Sequence, residues 1–160
     1  MSHEDEFWDI LEDAEVCMVT TEGEGRLHSR PMAPHVDRER KLIRFLTGGS
    51  APKVGEILHE SAVNLAFSDP GSMNFASVSG RAEISRDREL IRELWNGFAD
   101  AWFEGDAETA DVAVVTVRPD QGQYWNGTGS RIAQMWELAK AKATGGKPDM
   151  GDNAKVEIGR

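Results

Sequence analysis

Residues 26–53, RLHSRPMAPHVDRERKLIRFLTGGSAPK, read as strand, tight turn, strand, and then a glycine-containing loop that opens a helix. β-Branched and aromatic residues on both sides of Asp37–Arg40 favour two strands joined there. After Phe45-Leu46-Thr47 come Gly48-Gly49-Ser50, then Ala51-Pro52-Lys53, with Val54, Ile57 and Leu58 at helical spacing. Ser50 is expected to cap that helix, and Pro52 suits its first turn, where a missing N–H costs little. Free backbone N–H groups and the positive end of the helix dipole then gather beside Lys53 and the Ser50 hydroxyl, an arrangement suited to a phosphate. Arg30, one strand earlier, would close it from the side with a bidentate guanidinium. A serine at a helix start with a lysine three residues on is common capping and surface charge. The whole order of strand, strand, Gly-Gly-Ser and Lys is what gives it weight.

Outward from this stretch, residues 3–13 pattern as a short amphipathic helix with Phe7, Ile10, Leu11 and Ala14 on one face. Ala14–Thr21 reads as a strand apolar on both faces, hence interior to a barrel wall, and Glu22-Gly23-Glu24-Gly25 as a hairpin turn. Pro31 and Pro34 forbid a regular central strand over Leu27–Val36 and imply an edge or a bulge. Lys41–Thr47 is expected to pair back, followed by a crossover helix over 51–59. Ala62–Ser68 and Asn74–Ser85 alternate cleanly about the Asp69-Pro70-Gly71-Ser72 turn. Asp87 is expected to cap one helix carrying a Leu90, Leu94, Phe98, Trp102 stripe. Asp111–Arg118 is a β-branched strand ended by Pro119, and Gln121–Asn126 a last short one. Ser130 starts a final helix; residues 144–160 are polar and are expected to form a loose tail. The expected architecture is mainly β (α+β): a small antiparallel barrel of six or seven strands with flanking helices, one domain over 1–143.

With 160 residues there is enough chain to bury a real core, and no internal repeat is present. Twenty-eight acidic against eighteen basic residues give a net charge of −10, which disfavours nucleic acid and anionic membrane surfaces as partners. A local nest with two cations can still override that field at short range. The acidic start, MSHEDEFWDILEDAE, lacks the features of an export signal, and no window is apolar for long enough to span a bilayer. One cysteine, Cys17, rules out an internal disulfide and suits a reducing cytoplasm, with a buried small hydrophobe as the preferred reading. The four histidines have no metal-ligand spacing, and no metal site is expected. His28 and His35 nevertheless flank Arg30, so both are expected near any ligand there.

Taken together, Arg30-Pro31-Met32, FLTGGSAPK at 45–53, VNLAFSDP at 63–70 and VSGRAEISRDRELIRELW at 78–95 resemble the pyridoxamine-phosphate-oxidase-like split-barrel flavoproteins, nearest the general stress protein 26-like branch. The resemblance covers about residue 10 to about residue 127; each motif is weak alone, and their order is specific. It implies FMN held at a homodimer interface, with Arg30, Ser50 and Lys53 on the phosphate. It also implies that Pro31, Met32, Thr47 and the Phe45-Leu46 backbone lie along the ribityl chain or ring, with Phe75 near the cofactor. Tyr124-Trp125-Asn126-Gly127 through Arg131 resembles the family segment Phe-Trp-Gln-Gly, three residues, then Arg. That match implies Trp125 as a flavin neighbour and Arg131 as a substrate or phosphate contact in a site shared with the other subunit; His28, flanking Arg30, is a second candidate substrate contact. Ile132-Ala133-Gln134-Met135 stands where the oxidases carry Leu-His-Asp-Arg, so the substrate-binding His is Ala133 here. Pyridoxamine-phosphate oxidase activity is therefore not expected.

Three readings from different classes follow. One is an FMN-dependent oxidoreductase of the stress-protein type; another is a non-catalytic module that binds or stores FMN, FAD, a deazaflavin or a tetrapyrrole. A third is an interaction protein whose flavin pocket has decayed. The sequence contains no nucleophile elbow or Walker-type loop to support hydrolysis.

Overall fold

The clean alternation of residues 62–85 builds the centre of the structure, a computed structural model that describes residues 1–127, 131–147 and 152–158; the side chains of 131–134 lie outside that description. Strand β5 (Ala62–Asp69) runs antiparallel to β6 (Asn74–Ser85). Val63, Leu65 and Phe67 are buried against the inward side chains of β6, Ala76 and Val78 among them. The other strands add on both sides: β1 (Cys17–Gly23), β2 (Arg26–Met32), β3 (His35–Asp37), β4 (Leu42–Gly48), β7 (Val112–Trp125) and β8 (Asn153–Glu157). The sheet order is β2-β1-β5-β6-β7-β4-β3, with β8 paired to β7. Its two outer strands, β2 and β3, are consecutive in sequence and separated only by Ala33 and Pro34. One interrupted stretch therefore supplies both edge strands, the edge position that the two prolines predict.

Five helices accompany the eight strands among the described residues: α1 (His3–Asp13), α2 (Pro52–His59), α3 (Arg88–Leu94), α4 (Gly97–Trp102) and α5 (Arg131–Thr144). Ser2 and Asp5 form a capping box on α1, which buries Phe7, Trp8 and Leu11. Helix α2 lies against β1 and β6, and α3 covers β7 through a second apolar cluster built on Ile91, Val112 and Val114. No described helix is long and apolar enough to cross a membrane.

Four local expectations change. First, β1 is not packed on both faces: Cys17, Val19 and Thr21 are buried while Val16 and Met18 are 53% and 39% exposed. Cys17 lies among apolar side chains in the core, where burial pushes its thiol up to about 12. Second, the single helix expected after Asp87 is broken, because Trp95 and Asn96 adopt extended backbone and the Asn96 side chain starts α4 by accepting the Ala99 amide. Phe98 and Trp102 consequently face solvent, stacked on one another. Third, Pro119 does not end a strand. It sits opposite Gly80, where the β6–β7 register shifts, so a bulge absorbs its missing N–H and β7 runs on to Trp125. Fourth, residues 153–157 of the expected tail pair with β7 and bury Val156, with Ile158 buried just beyond. Ala154, Val156 and Ile158 do alternate with polar residues and pack in the core, a short pattern outweighed by the polar Gly/Pro-containing stretch before it.

Candidate functional site

Inward positions of β1, β2 and β4 meet α2 at one corner of the barrel. Val19 lies directly opposite Arg30, and Thr21 opposite His28, so these four share the core-facing side of the sheet. On β4, Thr47 follows Ile43 and Phe45 on the inward face and is itself 3% exposed. Polar groups at the end of otherwise apolar inward rows require partners. They find them on α2.

The Arg30 guanidinium donates through Nη1 to Thr21 Oγ1 at 2.6 Å and to the Val19 carbonyl at 3.4 Å, and through Nη2 to Glu56 Oε2 at 3.3 Å. Thr21 in turn donates to Glu56. The Thr21 hydroxyl, then the Arg30 and His28 charges, hold the Glu56 carboxyl below the usual carboxylate range. Lys53, in the first turn of α2, reaches back to donate to Thr47 Oγ1 at 2.7 Å. Its ammonium lies below the ordinary lysine range, first because it is partly buried and second because Arg30 repels it, with Glu56 opposing. Two cations from different elements are thus held close together where α2 begins.

That helix start differs from expectation. Its N-cap is Ala51, without a side-chain cap, and Pro52 is in the first turn as expected. The Ser50 hydroxyl donates instead to Asp111 at 3.1 Å, and the Gly49 amide to the Asp111 carbonyl at 3.0 Å. Arg86 completes this brace, donating to the Gly49 carbonyl at 2.9 Å and pairing with Asp111 at 3.6 Å. A Cβ on Gly49 would lie 2.4 Å from the Asp111 carboxylate and 2.5 Å from the Arg86 guanidinium, so a side chain there would displace the ends of both. Pro52 has no N–H and the Val54 amide donates to the Ala51 carbonyl at 3.0 Å, so the Lys53 amide is the first-turn donor that the absent side-chain cap leaves for an anionic ligand.

Of the residues singled out from sequence, Arg30, Thr47 and Lys53 converge, with His28 beside Glu56. Met32 packs on the core, Pro31 is exposed on the opposite face, and His35 lies on β3 across from Arg44. Phe45 is fully buried, so a ligand reaches it only through backbone, while Leu46 is half-buried and packs against the second cluster. Phe75 and Trp125 pair across β6 and β7, outward of the buried Ala76 and Tyr124. Within one chain they face away from the Arg30 corner. Arg131 opens α5, but its side chain is outside the described residues, as is Ser130. Thr21 and Glu56 were not foreseen. Their signals are a hydroxyl inside an inward apolar row and a carboxylate one helical turn after Lys53.

An antiparallel sheet whose two edge strands come from one proline-broken stretch, with its polar corner under a crossover helix, is a split barrel of the kind the sequence motifs resemble. The chain belongs to the family described as pyridoxamine 5'-phosphate oxidase like, which matches residues 2–149. Among solved structures it is similar to one assigned to general stress protein 26 from Jannaschia sp. CCS1, at 34% identity and a TM-score of 0.78, covering 98% of this chain and 99% of that one. It is also similar to the general stress FMN/FAD binding protein from Xanthomonas citri, at 27% identity and a TM-score of 0.71, covering 80% of this chain and 91% of that one. A curated relative, protein bli-3 of Neurospora crassa, is 28% identical over 130 residues, which are 76% of this chain and span 62% of that protein's length.

Proposed function

We propose that this chain is a flavoprotein that binds FMN, with the phosphate held by Arg30 and Lys53 at the start of α2. The observation that carries the reading is the proximity of these two cations beside an uncapped helix terminus, where Arg30 helps to hold the Lys53 ammonium below its ordinary range. An anion relieves that repulsion. The donor set fits a phosphomonoester: a planar guanidinium, an ammonium and the Lys53 amide at the helix start. The name of the Xanthomonas citri neighbour, an FMN/FAD binding protein, supports a flavin as the ligand class, with FAD or a deazaflavin as alternatives.

On this reading Thr47 orients Lys53, and the Pro31-Met32 and Phe45-Leu46 backbone borders the ribityl chain and ring. Ser50 joins the phosphate only by releasing Asp111. Phe75 and Trp125 face away from this corner in their own chain, so we assign their contact to a second copy in a homodimer, along with Arg131. A bound isoalloxazine would supply hydride or electron transfer; the residues named here bind and orient. Turnover as an oxidoreductase is the further step, and bleaching of the bound flavin by NAD(P)H followed by reoxidation with an acceptor tests it. Binding is tested by titrating FMN and riboflavin. Loss of one charge-assisted contact costs about 1.5–3 kcal/mol, roughly ten- to a hundredfold in affinity. Lys53→Ala is expected to weaken FMN by that factor and leave riboflavin unchanged. Equal affinity of the natural protein for the two flavins would overturn the phosphate assignment.

A further inference from the structure

Glu56 is the only carboxylate that touches Arg30 among the described residues. Its socket is built by three residues on two strands. Thr21 donates to Oε2 from β1, Arg30 donates to the same oxygen from β2, and Gly23 leaves room for the carboxylate. A Cβ on Gly23 would stand 2.8 Å from Glu56 Oε1 and 2.9 Å from the carbon that bears it. Both partners are donors, so a neutral amide oxygen would satisfy the hydrogen bonds equally well. What the carboxylate adds is charge, placed on the same helix face as Lys53 and one turn away from it.

We propose that Glu56 sets the strength of the phosphate grip: its carboxylate offsets one of the two positive charges at the corner and weakens every phosphomonoester there by a similar factor. The phosphate grip alone then becomes too weak to retain inorganic phosphate or a small phosphorylated compound. A ligand with an extended ring and chain compensates through its other contacts, so the corner admits a flavin mononucleotide and releases bare phosphate. This rests on the reading that a phosphate binds between Arg30 and Lys53. With both cations unopposed, an acidic chain would carry a local trap for any phosphomonoester.

The test measures FMN, riboflavin and inorganic phosphate affinities for the natural protein and Glu56→Gln, which keeps the acceptor and removes the charge. FMN and inorganic phosphate are each expected to bind the variant roughly tenfold more tightly, while riboflavin is unchanged. High salt should shrink the difference. Glu56→Asp, which withdraws the carboxylate by one methylene, is expected to fall between the two proteins and covers the case in which Glu56→Gln folds poorly. Unchanged or weaker phosphate and FMN binding in both variants would overturn the proposal while leaving the phosphate site intact. If the natural protein itself does not distinguish FMN from riboflavin, the underlying site reading fails, and this proposal fails with it.

Discussion

The Lys53 ammonium donates to the Thr47 hydroxyl at 2.7 Å, tying the first turn of α2 back to the end of β4, the strand that feeds it. The bond joins a partly buried cation to a buried hydroxyl, and its sense follows from the charged lysine.

A pH dependence follows. Burial, then Arg30, lowers the folded-state value for Lys53, so the free protein loses this charge at a lower pH than an unfolded chain does. A phosphate favours the charged form. FMN affinity is therefore expected to fall as pH rises through that lowered value, before ordinary lysines titrate. Riboflavin affinity should stay flat across the same range. Fluorescence titrations from neutral to alkaline pH check both, and Lys53→Met should abolish the difference. In the free protein the sign is the opposite for folding: the unfolded chain binds more protons here, so this lysine's contribution to stability rises with pH across the window.

Gly122 on β7 is a packing glycine. A Cβ there would lie 2.4 and 2.5 Å from two ring atoms of Phe7, which is fully buried. Gly122→Ala must push α1 off the sheet and is expected to destabilise the fold by about 1–3 kcal/mol. Urea denaturation should show the midpoint falling with an unchanged slope.

Removing residues 152–160 deletes β8 and with it Val156 and Ile158 from the core. Burial of two such side chains contributes roughly 3 kcal/mol or more. The shortened chain should melt at a distinctly lower temperature; an unchanged melt would mean that the strand contributes nothing.

Tyr124, the sole tyrosine, donates to Glu6 and sits 2.6 Å from His3 Nδ1, with burial and then Glu6 pushing its phenol up to about 12. The folded chain keeps the proton where an unfolded one would lose it. Stability is thus lost as pH rises through the interval from the ordinary tyrosine value to about 12. Tyrosinate absorbance should be absent from the native protein until that upper limit, and Tyr124→Phe should cost about 1 kcal/mol at neutral pH.

How far the sequence carried these conclusions differs by element. The alternating β5 and β6 and the capped α1 were legible because each buries one face, and burying one face writes a period into the residues. The Arg30 and Lys53 positions were legible through motif order. The Ser50 hydroxyl was misplaced because Asp111 and Arg86, more than thirty residues away in sequence, compete for the loop. Glu56 was missed because a carboxylate on a short surface-facing helix reads as solvated until Thr21 and Arg30 are seen beneath it. The break at Trp95-Asn96 was hidden by a stripe of apolar residues at helical spacing, of which the second half, Phe98 and Trp102, faces water.

The strand that crosses from one edge of the sheet to the other through Ala33-Pro34 also carries Arg30, four residues before the proline. Both edge strands and the proposed anion contact are therefore consecutive links in one piece of chain. On that proposal, a guest that fastens on the guanidinium also tethers the stretch that spans from one edge to the other.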